Sequence, residues 1–260
     1  MASNSVFESP RVVTDIKECY FYHTMDIPGH GLVEGEWDLR DGVKEYLGKV
    51  DLRGKRVLEL GTASGFLCFS MEKMGAEVVS YDLSDKHSWD LVPFADFDVK
   101  QYQSVWAGHI RRLNNGYWFN HRVLKSNAKV VYGSVYAVPE EIGPVDVSTF
   151  GCILLHVRDP FLALASALRL TKETVIITEE GVPKDHSAKG SEACMQFIPD
   201  YRKGDPKATW WRLSPQILME FIGVLGFEKA EVTYHEQKTK NGKAKLHTVV
   251  GQRTKGFLKA

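Results

Sequence analysis

The stretch RVLELGTASGFLCFSMEKMGAEVVSYD, residues 56–82, constrains this chain more than any other. Arg56 to Leu60 is a short apolar run that ends in glycine, the pattern of a buried strand. Ser64 to Met74 has helical spacing and stops at Gly75. Glu77 to Tyr81 is a second strand, closed by Asp82. Two strands with one helix between them, in so short a segment, require a right-handed parallel crossover.

The rest of the chain extends this unit. Ala128 to Tyr132 reads as a third strand, Val145 to Leu155 holds a fourth, and Thr174 to Thr178 is a fifth. Helices are expected over Pro160 to Leu170, with proline in the first turn, and over Pro215 to Leu225. Phe227 to Tyr234 and Leu246 to Gln252 close the chain as two strands joined around Asn241-Gly242. The expectation is an α/β Rossmann-like, doubly wound, seven-stranded, mostly parallel sheet with helices on both faces and the last strand antiparallel. Asp85 to Asn127 shows no strand. Val99 to Leu113 and Tyr117 to Lys125 read as two helices broken at Asn114-Asn115-Gly116. The first fifty residues read as irregular chain with one helix around Gly42 to Leu47. The domain reading is therefore a cap or lid over 1–50 and one domain over 51–260, with a helical insertion at about 85–127.

Composition narrows the partners. Lys+Arg and Asp+Glu are both 33, so the net charge is zero and no global field draws in a polyanion. The lysine run Lys238 to Lys245 reads as a solvated hairpin tip. Cys19, Cys68, Cys152 and Cys194 form no CxxC pair, which points to reduced thiols rather than zinc or disulfides. No segment reads as a membrane span or a signal peptide, so a cytoplasmic protein is expected.

The loop after the first strand carries the chemistry. Gly61 allows a sharp turn and Gly65 close helix packing. Asp82 ends the next strand, where a carboxylate accepts from both ribose hydroxyls of a nucleoside ligand. The spacing is GxxxG rather than GxGxxG, and Glu59 stands just before the turn. A carboxylate there repels a pyrophosphate and suits a ligand with an amino group and a sulfonium, such as S-adenosylmethionine (SAM). A tight turn and a helix cap are the bland alternative for these residues.

The segments VLELGTASGF and VVSYDLS resemble motifs I and II of the class I SAM-dependent methyltransferases. Glu34 to Asp38 (EGEWD), Ser148 to Pro160 (STFGCILLHVRDP) and Phe197-Ile198-Pro199, with Trp211 and Gly226-Phe227 beyond, are similar to the tRNA uridine-5-oxyacetic acid synthase family and its allied small-molecule methyltransferases. The resemblance implies that Gly61 and Asp82 touch the cofactor and that Trp37 closes over it; with the residues around them, the candidate cofactor set is Trp37, Glu59, Gly61, Thr62, Ala63, Gly65, Asp82, Leu83, Ser134, Val135 and Phe150, where Ser134 would bond the adenine or else be a plain turn serine. The chain departs from the tRNA enzymes in two places. HTMDIPGHGLVEGE, ahead of Trp37, has no lysine to neutralise a carboxylated SAM, and Leu155 stands where that family has an aromatic residue. Ordinary SAM, methyl transfer to oxygen or nitrogen of a small molecule, and no nucleic-acid partner are expected. A tRNA-modifying methyltransferase and a SAM-binding protein without turnover are the alternatives. The oligomeric state is open.

His156 follows the fourth strand and is the candidate general base, since an imidazole titrates near neutrality; a backbone-bonded loop histidine is the plain alternative. His23, His30, Tyr117, Trp118, Trp210 and Trp211 are the candidate substrate walls, or else the packing between cap and sheet. No His/Cys/Asp/Glu spacing requires a metal.

Overall fold

A computed structural model describes residues 5–181 and 192–256. Along the chain come β1 (Met25–Ile27), β2 (Gly31–Val33), β3 (Trp37–Asp38), α1 (Val43–Tyr46), β4 (Arg56–Leu60), α2 (Phe66–Lys73), β5 (Glu77–Asp82) and α3 (Val99–Val123). Then follow β6 (Lys129–Tyr132), β7 (Val145–Gly151), α4 (Pro160–Leu168), β8 (Thr171–Glu180), β9 (Met195–Phe197), β10 (Trp211–Leu213), α5 (Pro215–Val224), β11 (Lys229–Thr239) and β12 (Gly242–Gln252).

The main sheet has the order β3-β11-β12-β8-β7-β4-β5-β6. β4 pairs parallel with both β5 and β7, so strand order reverses at β4. β12 lies antiparallel between β8 and β11. This is the expected Rossmann-like α/β sheet with the last strand antiparallel, but it has eight strands where seven were expected. The extra one is β3, two residues of the cap hydrogen-bonded to the edge strand β11 at Thr239↔Trp37. Two residues carry no period, and only the open edge of β11 makes them a strand.

Side chains alternate across the sheet. Val57, Val78, Val130, Val147 and Ile176 pack with α2, α3 and the cap. Leu58, Leu60, Val79, Val131, Val175 and Ile177 pack with α4 and α5 on the other face. That period of two, with apolar residues on both faces, is what buries a parallel sheet. Helix starts follow their capping residues: Asp98 accepts from Gln101 N at 2.9 Å to start α3, and Asp159 accepts from Leu162 N at 2.9 Å to start α4.

α3 is one helix of 25 residues, where two were expected. Asn114-Asn115-Gly116 does not break it; it is the helix's contact face. Asn114 donates to Leu83 O at 3.1 Å, and Asn115 to Glu18 O at 3.2 Å. A Cβ on Gly116 would lie 2.5 Å from Tyr20 O, so only glycine lets the cap approach so closely. The tertiary contact overrides the helix-breaking tendency of these residues. β1 and β2 form a hairpin in the cap, and β9 and β10 pair antiparallel; neither pair was expected from the sequence. β11 and β12 run through the lysine run rather than stopping short of it. Lys238 lies 2.6 Å from Asp41 and Lys243 3.6 Å from Glu236. Among the described residues, no helix is long and apolar enough to cross a membrane.

Candidate functional site

Where β4, β5 and β7 end, the loops and the cap enclose a cavity of about 240 Å³. This is the carboxyl edge at the point of strand reversal, where open α/β sheets bind their ligands. Gly61 turns the chain out of β4 with φ +82°, its N–H donating to Tyr81 O at 2.8 Å. A side chain at position 61 would reach within 2.3 Å of Ile153 Cγ2. Ala63 also has positive φ and aims its amide at Asp82 Oδ2, 2.7 Å away. Asp82 Oδ1 accepts from Leu83 N at 2.7 Å. Each carboxylate oxygen keeps a second acceptor site beside the cavity. Burial pushes the Asp82 carboxyl up to about 6, although both amides pull it down.

Glu59 takes a different place from the one expected. It is 1% exposed and lies beneath the loop, facing α2 and α3 rather than the cavity. Ser80 donates to its Oε2 at 3.3 Å, and Thr62 and Tyr117 each donate to Ser80 at 3.2 Å. Glu59 Oε1 has no partner, and burial raises its carboxyl to about 7. Strand alternation sends position 59 to the opposite side from Leu60. Thr62 belongs to the same buried network, Gly65 caps α2, and Phe150 is core; none of the three borders the cavity.

The cap supplies the next wall. Trp37 donates its indole N–H to Tyr22 Oη at 3.2 Å, and Tyr22 N donates to Ser64 Oγ at 3.1 Å, so cap and loop are one unit. His23 borders the cavity with Nδ1 unpartnered, and burial lowers its pKa to about 4. Leu83, Ser134 and Val135 complete the end near β5 and β6.

His156 also borders the cavity. Its Nδ1 bonds to the carbonyl oxygen of Ala208. A carbonyl only accepts, so Nδ1 carries the hydrogen and Nε2 of the neutral ring carries the lone pair. The side chain is exposed to the cavity, and desolvation by the protein packed around it lowers its pKa, against the pull of Ala208 O. The turn that carries it is anchored from below: Glu179, itself buried, accepts from Leu154 N at 2.8 Å. Burial raises the Glu179 carboxyl to about 8.

Other candidate substrate residues lie elsewhere. Tyr117 and Trp118 are 1% exposed in the core, on the buried face of α3. His30 is an exposed residue of the cap whose ring meets Phe119 at 5.1 Å. Trp210 donates to Asp90 O, and Trp211 to Arg158 O at 3.0 Å; they brace the walls without bordering the cavity. The aromatic residues that do border it include Trp89 and Tyr136, which sequence reasoning missed. Trp89 lies in a stretch without periodicity, and nothing local marks it.

The residues bordering the cavity fit SAM: Asp82 would accept from a ribose diol, Ser134 and Val135 could meet an adenine, and the aromatic Trp37 and Tyr22 could attract a sulfonium.

No family model matches the chain, and no curated protein matches it. Solved structures do. The N-terminal domain of EvdMO1, crystallised in the presence of SAH and D-fucose, aligns with a TM-score of 0.54 at 17% identity, covering 92% of this chain and 93% of that one. A SAM-dependent methyltransferase from Methanosarcina mazei aligns at 0.51 and 14% identity, covering 80% and 96%. The chain shares the fold of these two proteins, the second of which is a SAM-dependent methyltransferase.

Proposed function

We propose that this protein is a SAM-dependent methyltransferase that moves a methyl group to an oxygen of a small molecule. The observation that carries the reading is one cavity bordered by Asp82, the Gly61 turn and His156, whose Nδ1 is held by Ala208 O. When bound, SAM supplies a methyl group on a positively charged sulfur. Asp82 holds the ribose, the Gly61 turn admits the ligand against bare backbone, and Trp37 with Tyr22 covers it. His156 accepts a proton from the acceptor hydroxyl. Alignment of two bound reactants lowers such a barrier by up to ~7–11 kcal/mol, and a positioned base adds about 10²–10⁴-fold.

The solved neighbour crystallised with SAH and a sugar supports a small-molecule acceptor. Calorimetry tests the cofactor directly. S-adenosylhomocysteine is expected to bind the purified protein and NAD is not. Binding of NAD with no S-adenosylhomocysteine signal would overturn the reading.

A further inference from the structure

We infer that His23 donates a hydrogen bond to the α-carboxylate of bound SAM. This rests on the methyltransferase reading above and gives the amino-acid end of the cofactor to the cap.

The connectivity of the ligand places that end. Adenine, ribose and methionine follow one another in SAM, and the strands that would meet them are neighbours in the order β6, β5, β4. Ser134 and Val135 come after β6, and Asp82 ends β5. A ligand with its adenine and ribose there carries its methionine on towards the end of β4, where Gly61 turns the chain. The cap is fastened to the same loop. Tyr22 N donates to Ser64 Oγ at 3.1 Å, and the His23 ring meets Phe66, the first residue of α2, with centroids 5.7 Å apart. The His23 backbone bridges to Trp37, and His23 borders the cavity.

A carboxylate at this place needs donors. The described residues lining the cavity include no lysine or arginine, so no side chain there is a permanent cation. His23 offers a donor that nothing else uses. The residue is 7% exposed. Its Nδ1 is buried without a hydrogen-bond partner, and Nε2, which bonds to no described residue, is the nitrogen left open to the cavity. Burial lowers the ring's pKa to about 4, so the ring is neutral and carries one hydrogen. On Nδ1 that hydrogen would be a sealed donor with its water lost; on Nε2 it meets whatever fills the cavity. The methionine end of SAM holds an ammonium and a carboxylate. The ammonium only donates, so the carboxylate is the group an N–H can meet, in a charge-assisted bond. Tyr22 stands beside it on the cavity wall, the two rings edge to face at 5.0 Å.

Calorimetry on the purified protein compares S-adenosylhomocysteine with its decarboxylated analogue, which keeps the amine, the ribose and the adenine. The wild type is expected to bind S-adenosylhomocysteine about 10-fold tighter or more, the scale of a hydrogen bond to a charged group. His23→Phe should weaken S-adenosylhomocysteine about 10-fold or more and leave the decarboxylated analogue within about 2-fold, because residue and carboxylate are then coupled. His23→Gln, which keeps an N–H donor, should recover part of the loss. Should His23→Phe not fold, His23→Leu makes the same comparison. A merely structural role for His23 would weaken both ligands alike. Equal losses for the two ligands, no loss for either, or equal wild-type affinities overturn the carboxylate assignment and leave the methyltransferase reading in place. If neither ligand binds the wild type, the methyltransferase reading fails and this inference falls with it.

Discussion

Two parts of the cavity wall are built in contrasting ways. The Asp82 part comes from one continuous stretch, β4 to β5, and its geometry is set by backbone: a glycine at φ +82° and two amides on one carboxylate. The His156 part is assembled from stretches far apart in sequence, around residues 89, 156 and 208, and is set by side chains bonded to distant carbonyls. Each part rests on a buried carboxyl, Glu59 below the first and Glu179 below the second. The backbone-built part can be read from local spacing and, in the proposed reading, would serve a ligand common to many proteins. Of the side-chain-built part, only His156 is marked in the sequence, by its place after a strand; Trp89 and Ala208 carry no local signature, and in the proposed reading this is where one acceptor is told from another.

His156→Ala should give the largest effect and should confine it to one part. The single-turnover rate is expected to fall about 10²–10⁴-fold with S-adenosylhomocysteine affinity unchanged, because the loss falls on the transition state. In the wild type the rate should rise with pH through a value below the ordinary imidazole pKa of about 6.5, since desolvation by the surrounding protein lowers it. A variant that loses cofactor affinity as well would show the two parts to be coupled.

Asp82→Ala should act on the other part. Removing two charge-assisted acceptors weakens S-adenosylhomocysteine binding by about 2–4 kcal/mol, or about 30- to 1000-fold in Kd by calorimetry. Asp82→Asn keeps one acceptor and should fall between. An unchanged Kd would show that the ribose is held elsewhere.

The smallest expected effect compares the two buried carboxyls. Glu59 and Glu179 have folded pKa values of about 7 and about 8, above the unfolded value near 4.5. The folded state therefore binds more protons, and stability falls as pH rises through these values. Between pH 6.5 and 8.5 the loss is on the order of 2 kcal/mol, a drop of several degrees in Tm by calorimetry. Below pH 6.5 the slope is offset, because His23 and His247, held near 4 by burial, take up protons on unfolding. Glu179→Gln should flatten the alkaline limb more than Glu59→Gln, since its pKa is the higher. A Tm that rises from pH 6.5 to 8.5 would mean that neither carboxyl is buried protonated.

Sequence alone determined the β4–α2–β5 unit, the alternation of strands and helices, and the antiparallel last strand. These follow from local periodicity, turn glycines and the handedness of a short crossover, and each needs only neighbours along the chain. It also singled out Asp82, Gly61 and His156, because their places follow from strand ends. Tertiary structure decided the rest. Whether Asn114-Asn115-Gly116 ends a helix depended on the cap packing against it, and whether Trp37 joins a strand depended on the free edge of β11. Glu59 turned away from the cavity through the strand's own alternation, which becomes visible once the position of each face is known. Trp89 became a wall because Asp90 bonds to residues far along the chain, and such bonds leave no trace in spacing or composition.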